Sequence, residues 1–232
     1  MMSEKILSER IEDYWNGRSE NLGTIRNREL HGKNFEAWLN WFENHLPRKK
    51  LRILDVGTGA GFFPVILSKL GHEVFGIDMS SEMLNEARKN FSEFECRVEV
   101  KKMDAQNLEF DDESFDVVIS RNLTWTLPNV EQAYREWFRV LKSDGLLMNF
   151  DSDYGTIKFS TEGNLQKKII DECNEIKDQL EISRLNRPDW DRKFLTSLGF
   201  SVEIEADISK QVQIDSSIQY DDIPVFAIIA RK

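Results

Sequence analysis

Residues 51–61 read LRILDVGTGAG, and this segment indicates the fold class. Its apolar first half, residues 51–56, predicts a buried strand, and the three glycines that follow predict a tight turn. Residues 62–70 have helical spacing and end before Gly71, a typical residue at a helix C-terminus. A strand that stops at a glycine-rich turn before a helix directs backbone N–H groups into the cleft at the carboxyl edge of a sheet. We therefore expect an α/β protein with a ligand site at this turn.

The rest of the chain alternates apolar runs of strand length with longer helical patterns, which predicts a sheet with crossover helices. Further strands are predicted at residues 73–77, 97–101, 115–120 and 146–150. Helices are predicted at residues 82–90, 130–141, 163–182 and 190–198. Two late strands, residues 201–205 and 225–230, have no helix-length pattern between them, so an antiparallel hairpin is expected there.

The composition narrows the function classes. The chain has 232 residues, of which 40% are hydrophobic and 31% charged, as in an ordinary globular protein. Its formal net charge of −10 disfavours a nucleic-acid partner, because a phosphate backbone would repel it. It contains no apolar run long enough to span a membrane and no signal-peptide pattern, and its two cysteines are far apart, so a cytoplasmic location is expected. The predicted state is a monomer or homodimer without a metal site.

Three acidic residues give the glycine turn its chemistry. Asp55 ends the first strand, Asp78 ends the second, and Asp104 follows the third. Asp78 is placed to accept hydrogen bonds from ribose hydroxyls and Asp104 from an adenine amino group, whereas three carboxylates would repel a pyrophosphate. Phe62 occupies the position where the dinucleotide-binding pattern has its third glycine, so a nicotinamide cofactor is disfavoured.

Several segments together resemble the successive motifs of class I S-adenosylmethionine-dependent methyltransferases. They are ILDVGTGAG at 53–61, GIDMS at 76–80, MDA at 103–105, FDVV at 115–118 and RVLKSDG at 139–145. Within that family the chain is most similar to small-molecule enzymes related to the quinone-biosynthesis methyltransferases. The resemblance implies a Rossmann-like three-layer sandwich whose seven-stranded, mostly parallel sheet has the order 3-2-1-4-5-7-6, with strand seven antiparallel.

The resemblance also implies an S-adenosylmethionine site, with S-adenosylhomocysteine as the product. The glycine turn would border the methionine part, Asp78 the ribose, and the residues around Asp104 the adenine. Arg121 and Asn122, after the fourth strand, would meet the carboxylate and ammonium groups of the cofactor. Apart from the resemblance, the aromatic residues Tyr14 and Trp15, followed by Arg18, are expected to close over the sulfonium, because an aromatic face attracts a cation. The expected cofactor-binding residues are Tyr14, Asp55, Gly57, Thr58, Gly59, Gly61, Asp78, Met79, Met83, Asp104, Ala105, Arg121 and Asn122.

The methyl acceptor is expected beyond the fourth and fifth strands. Trp125, Asp153 and Tyr154 are the candidate substrate-binding residues, and Asp151 and His31 are the candidate general bases. Residues 1–46 are predicted to form an N-terminal helical lid, and residues 47–232 the catalytic domain. A helical insert at about 155–199 would roof the acceptor pocket.

The sequence therefore predicts a methyltransferase that transfers a methyl group to a small molecule by in-line displacement. Two alternatives stay open at this point. One is a nicotinamide-dependent oxidoreductase, against which Phe62 argues. The other is a non-catalytic S-adenosylmethionine-binding protein that retains the cofactor turn.

Overall fold

The computed structural model describes residues 4–155, 157–160 and 167–232. One sheet of seven strands runs through the molecule in the order β3-β2-β1-β4-β5-β7-β6. The strands are β1 (Arg52–Val56), β2 (Glu73–Asp78), β3 (Glu99–Lys102), β4 (Phe115–Arg121), β5 (Leu141–Ser152), β6 (Ser201–Glu205) and β7 (Val225–Arg231). Strands β1 to β5 pair in parallel, and β7 is antiparallel to both β5 and β6. The predicted fold class and strand order are confirmed.

Helices cover both faces of the sheet. They are α1 (Glu4–His31), α2 (Lys33–His45), α3 (Phe62–Lys69), α4 (Ser81–Glu93), α5 (Val130–Val140), α6 (Lys167–Gln179), α7 (Asp189–Ser197) and α8 (Ser209–Val212). Successive strand residues point to opposite faces, so that Ile53 and Leu54 enter different cores. One core contains apolar residues of α2, α3 and α4, and the other those of α5 and α7. The central strands are therefore buried on both sides, as their continuous apolar sequences require.

Helix α1 lies across α4 and contacts α6 at its N-terminal part. Arg10 donates hydrogen bonds to Glu172 over 2.5 Å and to Glu175 over 2.6 Å, which joins α1 to α6. The segment at 1–46 that was predicted to be helical consists of two helices, α1 and α2, separated at Gly32. Its residues 1–3 lie outside the described residues. No helix in the described part of the chain is long and apolar enough to span a membrane.

The predicted elements differ from the structure most clearly in three places. Strand β5 begins at Leu141 rather than at residue 146, because Leu141 already pairs with Phe115 and the pairing resumes at Leu146 after a shift in register. An irregularity of this kind keeps one strand continuous on both sides of the extra residues. The four-residue helix α8 lies between β6 and β7, where no helix is predicted. Of the predicted helix at 163–182, residues 163–166 lie outside the described residues and α6 accounts for 167–179.

Candidate functional site

The glycine turn after β1 adopts backbone conformations that favour glycine. Gly57, Gly59 and Gly61 have φ of +69°, +51° and +80°. A Cβ atom on Gly57 would approach the Leu123 side chain to 2.8 Å, whereas one on Gly59 would project into open space. Gly59 accordingly forms part of the wall of a cavity.

Asp78 is fixed at the end of β2 by the backbone of this turn. The Gly59 N–H donates to Asp78 Oδ2 over 2.9 Å, and the Ser80 N–H donates to Oδ1 over the same distance. A carboxylate has about four lone-pair sites, so each oxygen keeps the capacity to accept a further hydrogen bond. The half-buried carboxylate lines the cavity, and a pair of neighbouring hydroxyl groups would satisfy both oxygens.

Two carboxyl groups at the ends of β1 and β2 titrate near neutral pH. Burial raises the pKa of Asp55 to about 7, with a further contribution from the nearby Asp78. Desolvation in the cleft raises the pKa of Asp78 to about 6, although the hydrogen bonds from Ser80 and Gly59 oppose this. A ligand with a positive charge beside these groups would lower both pKa values, so this end of the cavity favours a cation.

Asp104, Ala105 and two methionines form the next part of the wall. Asp104 is exposed and accepts hydrogen bonds from Gln106, through the backbone N–H over 2.9 Å and the side-chain amide over 3.1 Å. The Ala105 carbonyl accepts from Trp137 Nε1 over 3.0 Å, which fixes the loop after β3 against α5. Met79 and Met83 line the cavity as apolar surface opposite these groups. An apolar slot with an acceptor at its edge suits a planar heteroaromatic ring that carries an amino group.

These residues surround a cavity of about 680 Å³ at the carboxyl edge of the sheet. Of the residues expected to bind cofactor or substrate, the following line it: Tyr14, Asp55, Gly57, Thr58, Gly59, Asp78, Met79, Met83, Asp104, Ala105, Arg121, Asn122, Trp125 and Tyr154. Gly61 and Asp153 do not reach its wall. Gly61 instead precedes α3 with its Cα close to Phe91, and the buried Asp153 Oδ1 has no hydrogen-bond partner in the described part of the chain.

One wall of the cavity is aromatic. Trp125 lies at the centre of this group, with ring centroids 6.1 Å from Trp15, 5.1 Å from Tyr154 and 6.0 Å from Phe159. Tyr154 and Phe159 are themselves 5.3 Å apart. The wall joins α1 to the loop after β4 and to the segment after β5, and it gives the cavity an apolar side.

The first candidate base, Asp151, lies inside the protein rather than on the cavity wall. Its carboxylate is fully buried and accepts hydrogen bonds from Thr124 Oγ1 (2.5 Å), the Trp125 N–H (3.0 Å) and Arg187 Nη1 (3.1 Å). Arg187 also forms an ion pair with Asp191 at 2.9 Å. The structure therefore places Asp151 in a closed network that holds the loop after β4 against the start of α7, with no access to an acceptor.

The second candidate base, His31, is at the exposed end of α1. Its Nε2 lies 2.7 Å from Glu93 Oε1, and its ring packs against Phe94. These contacts join α1 to α4 on the outer surface, and His31 does not line the cavity. Neither candidate base is brought to the place where an acceptor would sit.

Helix α1 supplies more of the site than the sequence indicated. Its cavity-facing residues follow helical spacing from one end to the other: Ser8, Ile11, Tyr14, Trp15, Arg18, Leu22, Ile25 and Arg26. Arg26 and its partner Glu29 were not expected at the site, and neither was Tyr220 in the segment before β7. The three- and four-residue spacing of the α1 side chains could have predicted that Arg26 shares the cavity-facing side of the helix. Tyr220 reaches the cavity through tertiary contacts alone, which the sequence pattern does not predict.

Comparisons with known proteins agree with this geometry. The family model described as a methyltransferase domain matches residues 54–149. A phosphatidylethanolamine N-methyltransferase of Cereibacter sphaeroides is 34% identical over 119 residues, which are 49% of this chain and 58% of that protein. A ubiquinone biosynthesis O-methyltransferase of Agrobacterium fabrum is 29% identical over 128 residues, 54% of this chain and 48% of that protein.

Solved structures share the fold. A phosphoethanolamine N-methyltransferase 2 of Haemonchus contortus, crystallised with phosphomonomethylethanolamine and S-adenosylhomocysteine, superimposes with a TM-score of 0.68 at 19% identity, covering 95% of this chain and 60% of that one. The chain spans about half the length of the curated relatives it matches. The residues that the family model matches extend from β1 to β5 and include the glycine turn, Asp55, Asp78 and Asp104.

Proposed function

We propose that this chain, whose residues 54–149 match a methyltransferase domain and which has the class I S-adenosylmethionine-dependent methyltransferase fold, transfers a methyl group to a small-molecule acceptor by in-line displacement. The observation that carries the proposal is Asp78. It is a carboxylate held by two backbone N–H groups at the edge of a cavity, with a free acceptor site on each oxygen. A ribose diol is the ligand group that matches it.

The described residues fit S-adenosylmethionine along the whole cavity wall. Asp104 and the apolar slot would hold the adenine, Asp78 the ribose, and Asp55 the ammonium group of the methionine part. A carboxylate whose pKa is raised to about 7 by burial is stabilised by an adjacent cation, which agrees with this last role. The same acidic residues would repel the pyrophosphate of a nicotinamide dinucleotide.

Arg18 is suited to the carboxylate of the methionine part. Its Nη1 donates to the Tyr14 hydroxyl over 3.1 Å, and its buried Nε has no hydrogen-bond partner among the described residues. An unpaired buried N–H is costly, and a carboxylate ligand would satisfy it. Arg121, also expected there, is already bonded to Glu29 through both terminal nitrogens.

The protein's part in the reaction is alignment and exclusion of water. S-adenosylmethionine supplies a methyl group that its sulfonium already activates, so the chain must position the acceptor and keep the site dry. Trp15 and Trp125 lie where they would close the acceptor part of the cavity, and aromatic faces also attract a cation. We infer that α1 acts as the lid of the site, because its inner face lines the cavity from Ser8 to Arg26.

A cavity of about 680 Å³ supports a small acceptor rather than a macromolecule. Helix α1 and the segment after β5 both contribute to its wall. The net charge of −10 also disfavours a nucleic acid.

The proposal is tested by ligand binding followed by turnover. Thermal unfolding and calorimetry with S-adenosylhomocysteine, S-adenosylmethionine and NAD should show stabilisation by the first two and none by NAD. Asp78→Ala should weaken S-adenosylhomocysteine binding at least tenfold, whereas Asp171→Ala, an exposed change on α6, should leave it unchanged. Formation of S-adenosylhomocysteine with a panel of amine, phenol, thiol and acid acceptors then measures transfer. Stabilisation by NAD alone would contradict the proposal, and binding without turnover on any acceptor class would support a non-catalytic role.

A further inference from the structure

A buried carboxylate near the C-terminal end of α1 is fully occupied by its neighbours. Glu29 is 0% exposed and accepts hydrogen bonds from Arg121 Nη2 over 3.0 Å, from the Tyr220 hydroxyl over 2.9 Å and from Asn34 Nδ2 over 3.3 Å. Arg26 Nη1 also donates to it. With four partners, this carboxylate has no capacity left for a ligand.

Two guanidinium groups share this one carboxylate, which leaves a formal charge of +1 in the cluster. Arg121 is packed between aromatic rings, with its guanidinium carbon 4.7 Å from the Phe62 ring centroid and 5.4 Å from that of Trp38. Burial and repulsion from Arg26 lower the pKa of Arg121. A buried excess charge is costly unless another group compensates it. Asp55 interacts electrostatically with Arg121, so a further anion would be favoured at Arg26 rather than at Arg121.

Arg26 is the member of the cluster that can receive this anion. Its side chain is 19% exposed and lines the cavity. Within the described part of the chain its single hydrogen bond is the one to Glu29, so most of its five N–H donors are free. The hydroxyl groups of Tyr154 and Tyr220 are near enough to interact electrostatically with its guanidinium, and both residues line the same wall. The Tyr220 hydroxyl already donates to Glu29, so the free N–H groups of the Arg26 guanidinium are the donors that a carboxylate or a phosphate would meet.

The position of Arg26 along α1 separates it from Arg18, the residue assigned to the cofactor's carboxylate. It is eight residues beyond Arg18, about 12 Å along the helix axis at 1.5 Å per residue. There it faces Tyr154, which follows β5 and belongs to the aromatic wall around Trp125. Asp221 lines the same part of the cavity and its carboxyl group contacts the Tyr154 hydroxyl, but desolvation raises the pKa of Asp221 and so favours its neutral form beside an anion.

We propose that Arg26 binds an anionic group of the methyl acceptor, a carboxylate or a phosphate, so that the acceptor is a small organic acid or phosphate ester. This inference rests on the proposed function, because it assigns the acceptor part of the same cavity. It makes Arg26 a specificity-determining residue that touches the acceptor at a distance from the reacting atom.

The experiment uses inorganic phosphate and acetate as probes on the protein saturated with S-adenosylhomocysteine. Thermal unfolding is measured in sodium phosphate, sodium acetate and sodium chloride at equal ionic strength, so that general salt effects cancel. We expect phosphate or acetate to raise the unfolding temperature above the chloride value, and the larger increment identifies the class of anion. The increment should disappear in Arg26→Gln and persist in Arg28→Gln, an exposed change on the same helix. An equal increment in Arg26→Gln and wild type would overturn the proposal.

The competing assignment, in which Arg26 holds the cofactor's own carboxylate, gives a different result. Arg26→Gln should leave the dissociation constant of S-adenosylhomocysteine within about threefold of wild type, whereas Arg18→Gln should raise it at least tenfold. A tenfold loss of S-adenosylhomocysteine affinity in Arg26→Gln would overturn the proposal in favour of that assignment. If Arg26→Gln does not fold, Arg26→Lys keeps the charge but not the bidentate geometry, and it should reduce the anion increment with unchanged S-adenosylhomocysteine binding.

Failure of the proposed function would be seen separately. In that case S-adenosylhomocysteine would stabilise none of the variants, including wild type. The anion increment measured without S-adenosylhomocysteine would still report on Arg26. Once an acceptor is found, Arg26→Gln should raise its KM at least tenfold and change kcat much less, because the lost contact is made in both ground and transition states.

Discussion

The Ser80 hydroxyl donates a hydrogen bond to Asn16 Oδ1 over 2.7 Å, and this bond attaches α1 to the loop that carries Asp78. Ser80 also accepts from the Met83 N–H over 3.1 Å as the N-cap of α4. One side chain thus fixes the start of α4 and, through Asn16, the position of the helix that covers the cavity. Asn16 is the better residue to change, because its loss leaves the cap of α4 intact.

We expect Asn16→Ala to accelerate release of S-adenosylhomocysteine severalfold while reducing the free energy of unfolding by about 1 kcal/mol, the usual net value of one hydrogen bond. The dissociation rate is measured by stopped-flow tryptophan fluorescence, for which Trp15 is a nearby reporter. Asn44→Ala, which loses a bond only to the preceding turn of α2, is the matched control. A release rate equal to that of the control would argue against a lid role for α1.

Two glycines allow backbone strain to be separated from contact with the cofactor. Gly59 and Gly71 both have positive φ, +51° and +86°, and a Cβ on either would meet no atom within 4 Å. Alanine at either position should therefore cost a similar amount of stability, on the order of 1–2 kcal/mol for the left-handed conformation. Only at Gly59 would the added methyl group enter the cavity.

Calorimetry should accordingly show a loss of S-adenosylhomocysteine affinity of tenfold or more for Gly59→Ala and none for Gly71→Ala, with chemical denaturation giving similar stabilities for the two. Equal binding by both variants would mean that the turn does not contact the cofactor.

The raised pKa values of Asp55 and Asp78 predict two opposite pH effects. A carboxyl group whose pKa is higher in the folded protein than in the unfolded chain destabilises the fold as the pH rises. The effect develops between the unfolded pKa, near 4, and the folded pKa values of about 6 and 7. These two groups should thus reduce the stability of the ligand-free protein between pH 4 and 7. A bound ammonium group favours the ionised form, so S-adenosylhomocysteine should bind more tightly over the upper part of the same range.

We expect the dissociation constant of S-adenosylhomocysteine to fall between pH 5.5 and 8 in wild type, and to change less in Asp55→Asn, which cannot ionise. Calorimetry across this range makes the comparison, with Asp171→Asn as an exposed control on α6. A steeper pH dependence in Asp55→Asn than in wild type would exclude Asp55 as the partner of the ammonium group.

The part of the site that the sequence predicted is the part that local geometry determines. Gly57, Gly59 and Asp78 follow strands whose neighbours in the sheet are set by the βαβ connections, so their spacing alone brings them to one edge. The strand order was implied by the resemblance to the methyltransferase family, and it is confirmed. Asp104 and Tyr154 were also expected near the cavity, because each follows a predicted strand.

The remainder depends on contacts between distant segments. Tyr220 reaches Glu29 from 191 positions away, and Arg187 reaches Asp151 from 36. Neither the hydrophobic periodicity of the sequence nor its turn motifs predict such pairs. The position of Asp151 after a strand suggested a catalytic carboxylate, but whether a carboxylate faces a cavity or an arginine is decided by how the following segment folds back. His31 was singled out for its chemistry alone, and the direction of its side chain at the end of α1 carries it outward.

Asp151 provides a test that distinguishes a structural carboxylate from a catalytic one. It is fully buried, Arg187 and Thr124 are its main side-chain partners, and Arg187 also holds Asp191. Removing one charge from a buried pair leaves the other uncompensated and typically costs 3–5 kcal/mol. Asp151→Asn should therefore reduce the free energy of unfolding by about that amount, as measured by urea denaturation.

Because the carboxylate has no access to the cavity, S-adenosylhomocysteine affinity and kcat per folded molecule should stay within about threefold of wild type at a temperature where the variant is folded. Arg187→Gln, which breaks the same network from outside β5, should show the same pattern of lost stability and retained binding. A drop in kcat of a hundredfold or more in Asp151→Asn, with Arg187→Gln unaffected, would instead restore Asp151 as the general base.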